Sequence, residues 1–202
     1  LWSISGIRHR FVTLVTDSLL YEVADFGSMA IPLRRADPKN IAQTIRTFFI
    51  TSSIAGKRNL LQSDRSARLF IDVLNHYRAQ SKFLLHAFVV MPDHVHVLIS
   101  VYPNISSIER PVQFIKGGFA FRAGRELGFR PPMWQRGFSE VRIYDSEHWT
   151  RIIDYIAQNP VRRRLVENPA EFPHSSLHSG FDLDIHLRGK KPQSDIAYVR
   201  HV

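Results

Sequence analysis

The sequence predicts an α+β domain built on a small antiparallel sheet. Two observations carry that prediction. Apolar runs with strand and helix periods succeed one another in the order β-α-β-β-α-β-α, and the two middle strands are joined by a Pro92–Asp93 turn too short for a parallel crossover. No internal repeat or low-complexity tract breaks that order.

The elements follow in turn. TFFITSSI (Thr47 to Ile54) is rich in aromatic and β-branched residues and reads as a strand, with GKRN as the turn after it. Asp64 is placed to cap a helix through SARLFIDVLNHYRAQ, in which Leu69, Val73, Leu74 and Tyr77 share a stripe. KFLLHAFVVM and HVHVLISV then form the hairpin. A second helix covers Arg110 to Leu127, loosened by Gly117 and Gly118 and stopped by GFRPP. WQRGFSEVRIYD holds another short strand. DSEHWTRIIDYIAQN is a helix capped by Asp145 or Ser146, with Trp149, Ile152, Ile153 and Ile156 on its apolar face. Pro160 disfavours helix at Asn159, so this helix is expected to end there and PVRRRLVEN to start another.

Residues 1–40 read as an N-terminal extension. HRFVTLVT (His9 to Thr16) in it resembles a strand, and RRADPKN at its end resembles a linker. The domain is placed at 41–178, and residues 179–202 form a basic C-terminal tail.

Charge says more than bulk composition. Among 202 residues, 27 Lys and Arg face 18 Asp and Glu, a formal +9, and the pI is about 10.2. Such a balance suits a polyanionic partner, nucleic acid before an anionic membrane surface; a merely solvated basic surface is the plain alternative. No apolar run is long enough to span a bilayer, and the first residues lack the pattern of a secretory signal, so a cytoplasmic location is expected. Without cysteine, any metal must be held by His, Asp, Glu, Asn or Gln.

MPDHVHVLIS poses the chemical question. Residues two apart in a strand share a face, so His94, His96, Leu98 and Ser100 lie together, opposite Val95, Val97, Ile99 and Val101. The valine face is core; the histidine face is expected to be covered by something polar. Two neutral imidazoles at that spacing can grip one divalent cation, although a chain with ten histidines throws up such a pair easily by chance. Tyr155 and Asn159 are four apart on the helix before Pro160 and share a stripe with Arg151. A phenol beside a metal-bound phosphate can act as a nucleophile, and an amide oxygen can supply a hard third ligand. A surface tyrosine is the plain alternative.

MPDHVHVLIS, WQRGF and YIAQNPVRRRLVENPAEFPHSS together resemble the signature segments of the REP-associated tyrosine transposases, in the IS200-like, HUH single-tyrosine superfamily. The resemblance runs from about Thr47 to Ser176. It implies a ferredoxin-like sheet of HUH endonuclease type, with His94 and His96 as metal ligands and Asn159 with them. It also implies Tyr155 as the nucleophile, Mg2+ or Mn2+ as cofactor, and single-stranded DNA with REP-type hairpins as substrate. The protein would act as a monomer or homodimer and cut and rejoin DNA through a 5′-phosphotyrosine. Lys116, Arg122, Arg136, Arg151, Arg162 and Arg163 are candidates for phosphate contacts, and Phe119, Phe121, Trp134 and Phe138 for base stacking.

Two rivals remain open. KGGFAF (Lys116 to Phe121) and LFIDVL (Leu69 to Leu74) faintly resemble the paired motifs of an RNA-recognition module, which binds without catalysis. A metal-dependent phosphodiesterase would hydrolyse through water and leave no covalent intermediate.

Overall fold

The computed structural model describes residues 45–105 and 107–185. The expected extension at 1–40 and most of the expected tail lie outside them. Four strands, β1 (Arg46–Ser53), β2 (Leu84–Val90), β3 (His94–Val101) and β4 (Ser139–Ile143), form one antiparallel sheet in the order β2-β3-β1-β4. Three helices, α1 (Asp64–Ala79), α2 (Glu109–Leu127) and α3 (Ser146–Arg162), complete the β-α-β-β-α-β-α order that the sequence predicts.

The central strands β1 and β3 are buried on both faces, which is why each is a nearly unbroken apolar or β-branched run. On one face Phe48, Ile50, Val95, Val97 and Ile99 meet Phe70, Val73 and Leu74 of α1 and Val112, Ile115 and Phe119 of α2. On the other, Phe49, Leu98, Ala87, Val89 and Ile143 meet Ile156 of α3, with Trp149, Ile152, Ile153 and Tyr155 packed around them. The valine face is core as expected. The histidine face differs from the expectation of a polar cover: it carries a second, smaller apolar core, because α3 presents its apolar stripe to it.

Local details shift two helix ends, and a third falls at GFRPP as expected. Ser63, not Asp64, caps α1, its hydroxyl accepting from the Ser66 N–H. α2 stops at Gly128, which adopts the left-handed conformation (φ 69°) before the prolines are reached. α3 does not end at Asn159 but runs through Pro160 to Arg162. A proline in the last turn removes a single backbone hydrogen bond, and the bias against helix before proline is a preference that packing can override. The cap at its start is Asp145, which accepts from the His148 N–H at 2.7 Å. Gly118 does not loosen α2: it lets α1 approach, since a Cβ there would lie 2.6 Å from Tyr77 Cε2.

β2, an edge strand, is kept from open pairing by the chain that follows α3. His174 and Ser176 bond to its backbone at Val90 and Phe88, and Asp184 at Leu85. Packing therefore continues beyond residue 178, with Arg78 of α1 paired to Asp184 at 2.8 Å. A bulge at Leu85–Ala87 turns His86 toward Ser100, with Nε2 and Oγ 2.7 Å apart. LFIDVL and KGGFAF, the two segments of the RNA-recognition reading, lie inside α1 and α2 rather than on adjacent strands. No helix among the described residues is long and apolar enough to cross a membrane.

Candidate metal and nucleophile site

Register brings the site together. His94 and His96 open β3 and pair across β1 with Ser53 and Thr51. Their imidazoles turn toward each other, with the two Nε2 atoms 3.1 Å apart. The far side of each ring is fixed: His94 Nδ1 lies 2.6 Å from Asp93 Oδ1, and His96 Nδ1 lies 2.8 Å from Thr51 Oγ1. A carboxylate can only accept, so His94 carries its proton on Nδ1 and presents a lone pair on Nε2.

Burial pushes the His94 imidazole below its ordinary range despite the opposing pull of Asp93. It pushes His96 well below, with His94 adding to the effect. Asp93 shows the reverse balance. Burial alone would raise its carboxyl, but hydrogen bonds from His94 and Arg163 hold it below the usual carboxylate range. The neutral imidazole is the form that ligates a metal.

α3 closes the site from above. Tyr155 sets its ring edge-on to His96 at 5.2 Å and to Phe49 at 5.7 Å, so it is not simply a surface aromatic. His96 stacks on Phe49 at 5.3 Å and is only 4% exposed. Asn159, one turn beyond Tyr155, is buried. The guanidinium of Arg162 stands 5.0 Å over the Tyr155 ring, and Arg163 reaches both Asp93 oxygens at 3.1 Å.

The donor set fits a divalent cation. A 3.1 Å separation is what two nitrogens keep when they occupy neighbouring corners of one coordination shell with bonds of about 2.1 Å. Among the described residues no three His, Cys, Asp or Glu side chains gather as a metal site. The Asn159 amide oxygen is of the right chemistry for a further hard ligand.

The basic candidates divide by position. Arg162 and Arg163 end α3 beside the histidines, and Arg151 is exposed one turn before Tyr155 with Glu147 3.9 Å away. Arg136 is exposed next to Gln135, whose N–H donates to the Ser53 carbonyl at the histidine end of the sheet. Lys116 and Arg122 lie on α2, across the sheet. The Lys116 ammonium donates to the Gln135 and Gly137 carbonyls, and Arg122 pairs with Glu126 at 2.7 Å. Of the aromatic candidates, Phe119 is core, Trp134 and Phe138 are partly buried against it, and Phe121 is 63% exposed.

Sequence reasoning missed Asp93 and Thr51 as partners of the two imidazoles, and Lys57, whose charge is felt at His94. Asp93 could have been found, being adjacent to His94. Thr51 could not, because its role depends on the β1–β3 register.

A family model described as "Transposase IS200 like" matches residues 49–159, more than half of the chain. An Escherichia coli K12 protein, "REP-associated tyrosine transposase", is 25% identical over 132 residues, which cover 65% of this chain and 76% of that protein. A Haemophilus influenzae protein whose name contains the same words is 27% identical over 143 residues, covering 63% of this chain and 81% of its own. A solved structure titled "Structure of the REP associates tyrosine transposase bound to a REP hairpin" superposes with a TM-score of 0.57 at 20% identity, covering 72% of this chain and 92% of that one. That last match establishes the shared fold.

Proposed function

This chain belongs to the IS200-like transposase family, and from that premise we propose that it cuts and rejoins single-stranded DNA beside REP-type hairpins, with Tyr155 as nucleophile. The observation that supports this most is the meeting of the Tyr155 ring with the converging imidazoles of His94 and His96. Two relatives named for REP-associated tyrosine transposases support the choice of substrate.

His94 and His96 would hold the cation through Nε2, and Asn159 would complete the protein ligands with its amide oxygen. When bound, Mg2+ or Mn2+ supplies positive charge to the phosphoryl oxygens and eases loss of the phenol proton. A phenol keeps its proton at neutral pH and is a poor nucleophile without such help.

Its oxygen attacks the scissile phosphorus and the P–O3′ bond breaks. The phenol proton leaves to solvent, the departing oxygen takes one up, and the products are a 5′-phosphotyrosine and a free 3′-OH. A second 3′-OH then attacks the same phosphorus, restoring a phosphodiester and returning the proton to Tyr155. One phosphoester is exchanged for another at each step, so no external energy is consumed. Arg162 and Arg163 would hold phosphates beside the scissile one, with Arg136 and Arg151 further along.

Labelled hairpin DNA, Mn2+ and protein, resolved on a denaturing gel, test this. The wild-type chain should give a covalent adduct, and Tyr155→Phe none while still binding the hairpin. The ring contacts with Phe49 and His96 are kept, so stability should change by less than about 1 kcal/mol. Cleavage by Tyr155→Phe at the wild-type rate would favour a water-using phosphodiesterase instead.

A further inference from the structure

Asp93 touches both halves of the site. Its Oδ1 accepts from His94 Nδ1 at 2.6 Å, and Arg163 Nη2 donates to Oδ1 and Oδ2 at 3.1 Å each. The two attachments are rigid. Asp93 sits in the tight turn before β3, its carbonyl accepting from the Ile54 N–H at 2.8 Å. Arg163 caps α3, its N–H donating to the Asn159 carbonyl.

The next two residues lock that end. The Arg164 N–H donates to Val161 and the Leu165 N–H to Pro160. Arg164 takes the left-handed place (φ 56°) that glycine usually fills in this motif. A side chain leaving α3 at Arg163 therefore has a fixed origin, and it ends on the carboxylate that orients His94.

We infer that the Asp93–Arg163 pair is a positioning clasp, through which one carboxylate aims the His94 ligand and pins the C-terminal end of the tyrosine helix over the histidines. This rests on the reading in which His94 is a ligand and Tyr155 the nucleophile. The Arg163 side chain is 54% exposed and that of Asp93 12%, and a half-exposed ion pair adds little to folding stability. Placement is different: a shift of about 1 Å at a reacting group costs on the order of 100-fold in rate.

The test uses the full chain, Mn2+ as probe, and four variants: Asp93→Ala, Asp93→Asn, Arg163→Ala and the double Asp93→Ala/Arg163→Ala. Mn2+ affinity is read by paramagnetic resonance without DNA, and adduct formation by single turnover at saturating Mn2+ and hairpin. Asp93→Ala should weaken Mn2+ binding by about 10–100-fold, the usual effect of removing a ligand's partner. Asp93→Asn should recover most of that, since its amide oxygen still accepts from His94.

Arg163→Ala should keep Mn2+ affinity within about threefold yet slow adduct formation by about tenfold or more, and the double variant should be no slower than Asp93→Ala alone. If Asp93→Ala fails to fold, Asp93→Asn takes its place in the cycle. Mn2+ affinity of Asp93→Ala within twofold of wild type, or losses that multiply in the double variant, would overturn the clasp. A wild-type chain that binds no Mn2+ would overturn both the clasp and the reading beneath it.

Discussion

Replacing His96 by alanine separates its two roles. The sequence alone suggests that neither histidine matters to the fold, since the valines form the core on the other face. The structure places His96 4% exposed, stacked on Phe49 at 5.3 Å and edge-on to Tyr155 at 5.2 Å. His96→Ala therefore opens a hole in the smaller core as well as deleting a proposed ligand. Large-to-small core changes cost about 2–5 kcal/mol, and an imidazole whose Thr51 partner can be rehydrated belongs at the lower end, about 2–3 kcal/mol. Against the ~5–15 kcal/mol that holds a typical domain, the variant stays folded, with a melting temperature lower by about 5–10 °C. His94, whose side chain is 12% exposed, leaves Asp93 still paired to Arg163 when removed, so His94→Ala should cost only about 1 kcal/mol. Both variants should lose adduct formation. Melting is followed by circular dichroism in EDTA, so that metal binding does not add to the wild-type value. A His96→Ala protein that melts within 2 °C of wild type would refute the second apolar core around this residue, whatever its activity.

Two further outcomes follow from packing and charge. Gly118→Ala should lower the urea midpoint, because a Cβ 2.6 Å from Tyr77 Cε2 forces overpacking of about 1–3 kcal/mol against a helix gain of about 0.5–1 kcal/mol. Its neighbour Gly117, with nothing within 4 Å of an added Cβ, should be stabilised by alanine by about 0.5–1 kcal/mol. Burial raises the Asp184 carboxyl, but hydrogen bonds from Arg78 and the Leu85 N–H outweigh it and hold its pKa below the ordinary value. A depressed folded pKa means its contribution is full above the unfolded value of about 3.9 and lost as pH falls through the folded one. Wild type should thus exceed Asp184→Asn by about 1–2 kcal/mol at pH 7 in urea titrations, with the gap closing below pH ~4.

The sequence determined the element order, because strand and helix periods are local properties: TFFITSSI, HVHVLISV and the Trp149–Ile156 stripe each announce their own geometry. It also put His94 beside His96 and Tyr155 beside Asn159, since a period of 2 and a spacing of four need only a strand and a helix. What it left undecided is everything that depends on two segments meeting. Pairing Thr51 with His96, bringing Arg163 to Asp93 across 70 positions, and laying an apolar helix rather than polar cover on the histidine face are long-range events. They follow from burying the α3 stripe against Phe49 and Leu98, and that choice is made by the whole sheet. The same choice neutralises the imidazoles: burial, which no pair spacing encodes, is what lowers their pKa values. Lys116 shows the same limit, since its donation to the Gln135 and Gly137 carbonyls depends on a tertiary contact that its residue type does not encode.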